Sequence, residues 1–328
     1  MKTQNIGIIG LNRYGASIGL AIKQTPLEVN VIGHDASGEV MKQAKEMGAV
    51  DETKRSVSAV TAVADILVLC EPLSKMQELL MAIAPDVQDH TVIMDTAVLK
   101  KPVYQWVRDY LKTGHYVSSM PIIAAKQTHD TRQTIAAASA DLFRNSTFCL
   151  FPGPEVDEQA VQTASTFGQL LGAQPFYVDI TEYDVYMQAL ETLPALVSTA
   201  VFRALTQRTG WRDMARVAGL SFAQLTSLMT REEELATMAL AEKQSTLLWI
   251  DTLVQELLEM RRWVQEGDEE TLAALMRELG IQRDEWLHQR EENDWSYTSD
   301  VQKRSMMAQM FGDLLSRGQK DDKRKRGS

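Results

Sequence analysis

Cysteine is scarce in this chain. The two present among 328 residues, Cys70 and Cys149, each sit inside an apolar strand-like run. That excludes a disulfide-built scaffold and reads as buried free thiols, neither nucleophile nor ligand, in a reducing compartment. Excess positive charge is missing too: 34 Lys and Arg stand against 44 Asp and Glu, a net charge of -10, which argues against nucleic acid as the main partner. No apolar run reads as long enough to span a membrane, and no metal site is expected. The N-terminus enters an apolar strand directly, without a signal-peptide pattern, so the expected location is cytoplasmic. A chain of 328 residues has room for two domains, each with its own core.

A glycine is also missing where one is diagnostic. Asn5 to Gly10 is an apolar strand running into the turn Gly10-Leu11-Asn12-Arg13-Tyr14-Gly15 and then a helix. In the dinucleotide fingerprint G-x-G-x-x-G the first glycine makes the turn, the second admits the pyrophosphate to the backbone, and the third packs helix on strand. Gly10 and Gly15 fill the first and third places, and Asn12 fills the second. Asparagine is the mildest replacement, since it tolerates left-handed backbone angles and carries an amide donor. A second strand, Val29 to Gly33, leads to Asp35, about twenty residues beyond the fingerprint, where an acid holds the ribose hydroxyls of NAD and disfavours NADP. The expected cofactor is therefore NAD, bound by Gly10, Asn12, Arg13, Tyr14, Gly15 and Asp35. The plain alternatives are a helix cap for Asp35 and an unrelated βα turn for the two glycines.

Strand-like and helix-like segments alternate up to about residue 180. Ile66 to Cys70 and Thr91 to Asp95 are continuous apolar runs, as a sheet buried on both faces requires. Tyr116 to Ser119, Phe148 to Phe151 and Phe176 to Val178 read as further strands, with helices starting near Ser74, Lys101 and Val156. After Asp179 only helical periodicity remains: Tyr183, Tyr186, Met187, Leu190, Leu193 and Val197 recur on one face, as do Leu247, Ile250, Val254 and Leu257. The predicted fold class is α/β: an N-terminal Rossmann-type domain with a mainly parallel sheet, followed by an all-helical C-terminal domain. Boundaries are set at 1–180 for the dinucleotide-binding domain, 181–315 for a helical substrate and dimerisation domain, and 316–328 for a disordered basic tail.

In order and spacing these landmarks resemble the prephenate/arogenate dehydrogenase family over roughly residues 5–290. The carriers are Ile8 to Ser17, Ala64 to Pro72, Asp95 to Lys100, Tyr116 to Pro121, Leu171 to Pro175, Glu182-Tyr183-Asp184, Thr192-Leu193-Pro194 and Gly210 to Ala218. The resemblance implies oxidation of a ring hydroxyl, with hydride transfer to a nicotinamide and loss of carbon dioxide. Such chemistry needs a proton acceptor, a partner to aim it, and cations for the substrate carboxylates. By resemblance, Arg216 is the helical-domain cation for a substrate carboxylate, and Lys100 keeps its family place after the fifth strand. The family serine is here Val98, and the histidine that accepts the hydroxyl proton is Met120, a poor acceptor. Two further family histidines are Thr192 and Tyr183.

Among the five histidines, His34 and His90 read as structural, His115 faces away from the catalytic end, and His288 lies far along the last helix. His129, in the polar loop after Met120, is the candidate replacement base; a solvated loop residue is the plain alternative. The candidate catalytic residues are thus Lys100 and His129, with Arg216 for substrate. Arg216 paired with Asp213 and Lys100 as a strand-end charge are the structural alternatives. Three readings compete: an NAD-linked dehydrogenase of this type, an oxidoreductase for a different carboxylated substrate, and a non-catalytic relative that binds a nucleotide or metabolite or serves only as an assembly partner through its helical domain. The long apolar stripes of the helical half lead to the expectation of a homodimer.

Overall fold

In the computed structural model, which describes residues 4–153, 156–229 and 232–295, six strands form one parallel sheet. They are β1 (Gln4–Ile9), β2 (Val29–His34), β3 (Glu52–Thr53), β4 (Ile66–Leu69), β5 (Val92–Asp95) and β6 (His115–Tyr116), in the order β3-β2-β1-β4-β5-β6. Between them run α1 (Arg13–Lys23), α2 (Gly38–Glu46), α3 (Val57–Thr61), α4 (Leu73–Ile83) and α5 (Lys101–Tyr110). Every residue of β4 and β5 is buried, which is why these strands are written as unbroken apolar runs. Strand order reverses between β1 and β4. The carboxyl ends of β1, β2, β4 and β5 therefore open onto one crevice, where sheets of this kind take their ligands.

The expected single strand from Tyr116 to Ser119 is two strands in two sheets. After β6 the chain turns at Val117, and β7 (Ser118–Pro121) pairs antiparallel with β8 (Thr147–Phe151), which runs parallel to β9 (Gln174–Tyr177). The hydroxyls of Ser118 and Ser119 donate to the carboxylate and the carbonyl of Asp95, each at 3.2 Å, and so draw the chain over the end of β5. The helix α6 (Glu158–Leu170) joins β8 to β9, starting two residues past the expected Val156 under the Asp157 cap.

From Ile180 the chain is helical: α7 (Ile180–Met187), a π-helical turn (Gln188–Thr192), α8 (Leu193–Thr206), α9 (Trp211–Val217), α10 (Leu220–Thr226), α11 (Glu232–Ala241), α12 (Lys243–Glu266) and α13 (Glu269–Glu292). The expectation about apolar runs is corrected here. Ile180–Thr206 is one continuous helix of 27 residues, long and apolar enough to cross a membrane by length and composition. In sequence the run is masked by Glu182, Asp184 and Glu191, yet Glu191 is the single charged residue from Val185 to Phe202. The expected basic tail at 316–328 lies outside the described residues.

One carboxylate ties the helical half to the sheet. Asp184 on α7 accepts hydrogen bonds from the backbone N–H groups of Lys100 (2.7 Å) and Lys101 (2.8 Å), and so caps α5, which has no side-chain cap of its own. Burial pushes the Asp184 carboxyl up to about 6 from 3.8, against the pull of the two N–H donors and of the Lys100 charge. The folded state therefore holds the Asp184 proton more tightly than the unfolded chain does. This contribution to stability is fully present below about pH 4 and is lost as pH rises through 6. Asp184→Asn removes the titration while keeping one acceptor. Urea unfolding at about pH 4 and pH 7 should show the variant gaining on the wild type by up to roughly 3 kcal/mol at the higher pH. A difference between the two proteins that does not change with pH would contradict the assignment.

Candidate active site

The fingerprint turn folds as its glycines require. Gly10 has φ +88°, and a Cβ there would lie 2.7 Å from the Cys70 carbonyl oxygen; a Cβ on Gly15 would lie 1.9 Å from the Gly10 oxygen. Asn12 is the N-cap of α1: its Oδ1 accepts from Tyr14 N–H at 2.9 Å and Gly15 N–H at 3.2 Å, while its Nδ2 donates to the Cys70 carbonyl. The Arg13 N–H, the next donor of the same turn, goes to the Gln133 carbonyl at 3.0 Å. Asp35 stands at the end of β2, accepting from Leu11 N–H at 2.9 Å and Ser37 N–H at 2.8 Å. It is not the cap of α2, a place taken by Ser37. Glu71 follows β4 on the same side, its carboxyl held above the usual range by burial and by the neighbouring Asp35 charge.

Arg13 is buried and points away from the turn. Its guanidinium donates to the carbonyls of Gln127 (3.0 Å), Asp130 and Arg132 (3.3 Å), in the loop that follows β7. His129 lies in that loop with its side chain exposed, and among the described residues no contact joins it to Lys100 or Met120.

Behind the turn, Lys100 is fully buried. Its Nζ donates to Asp95 Oδ1 at 2.8 Å and to the Ser119 carbonyl at 2.7 Å, and lies 5.6 Å from the centre of the Phe151 ring. Asp95 also accepts from Ala97 N–H (2.9 Å), Tyr116 Oη (2.7 Å) and Ser118 Oγ (3.2 Å). Removing either partner from so buried a pair leaves an uncompensated charge, at a cost of roughly 3–5 kcal/mol. The two Lys100 hydrogen bonds tie the turn after β5 to the end of β5 and to β7.

The place where resemblance puts the proton acceptor is apolar. Met120 is 7% exposed and packs with Cys149, Phe151 and Tyr183, with Tyr14 and Met187 against the same cluster. Val98 is buried as well. Burial pushes the Cys149 thiol up to about 11 and Cys70 to about 12, so neither is a thiolate near neutral pH. Tyr183 Oη and Thr192 Oγ1, which stand for two family histidines, are buried hydroxyls without a hydrogen-bond partner among the described residues. Burial holds the Tyr183 phenol well above its ordinary range, hence neutral.

Arg216 is exposed in the last turn of α9. Among the described residues it makes no ion pair, with Asp213 or otherwise, and nothing brings it to Lys100. The structure thus brings together Gly10, Asn12, Arg13, Tyr14, Gly15 and Asp35, and places Lys100 by Met120; His129 and Arg216 stand apart. A cation that sequence reading missed faces Tyr14 of the fingerprint: Arg290, half-buried on α13, donates to the Ile123 carbonyl at 3.0 Å and stacks on Trp286, 5.5 Å away. Burial lowers its basicity, and the Glu191 and Tyr14 groups facing it counter that. No motif marks it in the sequence.

A family model described as prephenate dehydrogenase, nucleotide-binding domain, matches residues 18–177, and one described as prephenate dehydrogenase, dimerization domain, matches residues 179–278. The prephenate dehydrogenase of Bacillus subtilis is 24% identical over 281 residues, covering 81% of this chain and 71% of the relative. The cyclohexadienyl dehydrogenase of Zymomonas mobilis is 23% identical over 270 residues, covering 81% and 90%. Among solved structures, A. aeolicus prephenate dehydrogenase in complex with hydroxyphenyl propionate and NAD+ superposes with a TM-score of 0.76 at 20% identity, covering 87% of this chain and 99% of that one. Synechocystis arogenate dehydrogenase gives 0.68 at 20% identity, covering 86% and 100%. These structures share the fold described above, and the two family models together run through both halves of the chain. The chain belongs to the prephenate dehydrogenase family.

Proposed function

We propose that this protein is an NAD-linked oxidoreductase of the prephenate/arogenate dehydrogenase type in which substrate and cofactor binding outlast proton transfer. The chain's residues fit the dinucleotide at the turn, where Gly10 and Gly15 leave no room for a Cβ, and at the ribose, where Asp35 follows β2 directly. Its family relationship supports a carboxylated ring substrate, and the A. aeolicus relative is a protein with NAD+ bound. The bound nicotinamide would take up the hydride. What this chain's residues supply is the frame around it: Lys100 and Asp95 fix the turn after β5, and the apolar cluster at Met120 excludes water.

The observation that carries the reading is Met120 itself. A thioether packed among Cys149, Phe151 and Tyr183 accepts no proton, and Val98 has no hydroxyl with which to aim a base. Losing a general base costs roughly two to four powers of ten in rate. Val98→Ser combined with Met120→His should raise prephenate-dependent NAD reduction by at least about a hundredfold over wild type, and each single substitution by far less. Wild-type turnover that neither the pair nor the singles improve would contradict it, and would point to the loop residue His129 as base.

The helical half supports a homodimer. Leu190, Leu220, Leu240 and Val264 are each more than 60% exposed on helices matched by the dimerization model, an apolar surface that one copy leaves open. The same role explains the apolar Ile180–Thr206 helix, so the proposed location is cytoplasmic. Light scattering should give the mass of two chains; a monomeric mass at micromolar concentration would contradict it.

A further inference from the structure

The donors that a pyrophosphate would use are already bonded within the chain. At the start of a Rossmann α1 the first free N–H groups point at the phosphates. Here Arg13 N–H goes to the Gln133 carbonyl, and Tyr14 and Gly15 N–H both go to Asn12 Oδ1. The Gln133 carbonyl is not there by chance. It belongs to a segment fixed at its far end by the buried Ile135 and by Ser139 N–H donating to Ser17 Oγ at 2.9 Å, and at its near end by Ala124 N–H donating to the Leu142 carbonyl at 2.8 Å. Between those ends, the carbonyls of Gln127, Asp130 and Arg132 converge on one guanidinium, that of Arg13, which is 1% exposed. The Asp130 and Arg132 side chains pair at 2.6 Å and preform the bend. One residue thus offers its N–H to the segment and gathers the same segment with its side chain.

We infer that Asn12 and the Gln133 carbonyl take the N–H groups that a pyrophosphate would use, and that Arg13 is a positioning residue that sets dinucleotide affinity by holding segment 127–133 over the turn. The inference rests on the dinucleotide reading proposed above. Dinucleotide entry then requires the Asn12 amide to rotate off α1 and Gln133 to release the Arg13 N–H, so binding and loop closure compete. Segment 127–133 carries His129, so its release would move that exposed histidine as well.

The test is hydrogen exchange of the full-length wild type with and without saturating NAD, read at the amides of residues 127–133, together with calorimetric NAD affinities of wild type, Asn12→Gly and Arg13→Met. Faster exchange of that segment on NAD binding, with NAD bound about three- to tenfold more tightly by Arg13→Met and by Asn12→Gly, is the expected result: Asn12→Gly frees the Tyr14 and Gly15 N–H groups and Arg13→Met removes the three side-chain bonds that hold the segment, each for a net gain of about one hydrogen bond. A role for Arg13 confined to stability would lower the melting temperature without making exchange respond to NAD. NAD binding that leaves exchange of 127–133 unchanged or slower, or that weakens in Arg13→Met, would overturn the inference while leaving the dinucleotide reading intact. Absence of binding in all three proteins would overturn both.

Discussion

The buried pair of Asp95 and Lys100 is the constraint on which the rest of the site depends. The Asp95 carboxylate takes four donors, from Lys100, Ala97, Tyr116 and Ser118, and Lys100 spends its second bond on the Ser119 carbonyl. A carboxylate and an ammonium this far from water are tolerable only when they pair with each other and bond to their surroundings. The pair fixes the turn after β5, bends the chain from β6 into β7, and so delivers Met120 to the crevice. It also presents the N–H groups of Lys100 and Lys101 to Asp184, which draws the first helix of the second half onto the sheet.

This frame is independent of the reactive groups it frames. Where the resemblance implies a serine at 98, a proton-accepting histidine at 120 and two further histidines at 183 and 192, the chain has a valine, a methionine and two buried hydroxyls, yet its fold superposes on that of the A. aeolicus protein. Packing accounts for this. Met120 and Tyr183 close an apolar cluster with Phe151, whose centroid lies 4.5 Å from that of Tyr183, so stability at this spot is served by apolar contact where catalysis would need polarity. Lys100 is held by the fold through Asp95 and the Ser119 carbonyl.

Local signals made much of this legible. The strand into Gly10, the continuous apolar runs of β4 and β5, the acid ending β2 and the switch to helical periodicity after Asp179 each depend on residues close in sequence, and each is found where it was read. What stayed hidden is non-local. The break at Val117 requires a partner strand thirty residues on and serine hydroxyls bonded to Asp95. The loop gathered by Arg13 has an ordinary polar sequence, and only the fold brings its carbonyls together more than a hundred residues from the arginine. Arg290 returns from the last helix with no motif around it, and the apolar character of Ile180–Thr206 was obscured by three acids, one of which, Asp184, is spent capping a distant helix.

The central claim is that the chain keeps a dinucleotide site and lacks the group that would take the substrate proton. Single-turnover mixing of the full-length protein with saturating NAD and prephenate, with the binding heat of NAD measured on the same preparation, tests both halves at once. The account predicts saturable NAD binding, stronger than that of NADP, and reduced nicotinamide forming with no burst, roughly two to four powers of ten below a rate assisted by a general base. A rapid burst at neutral pH, or no heat with either dinucleotide, would contradict it.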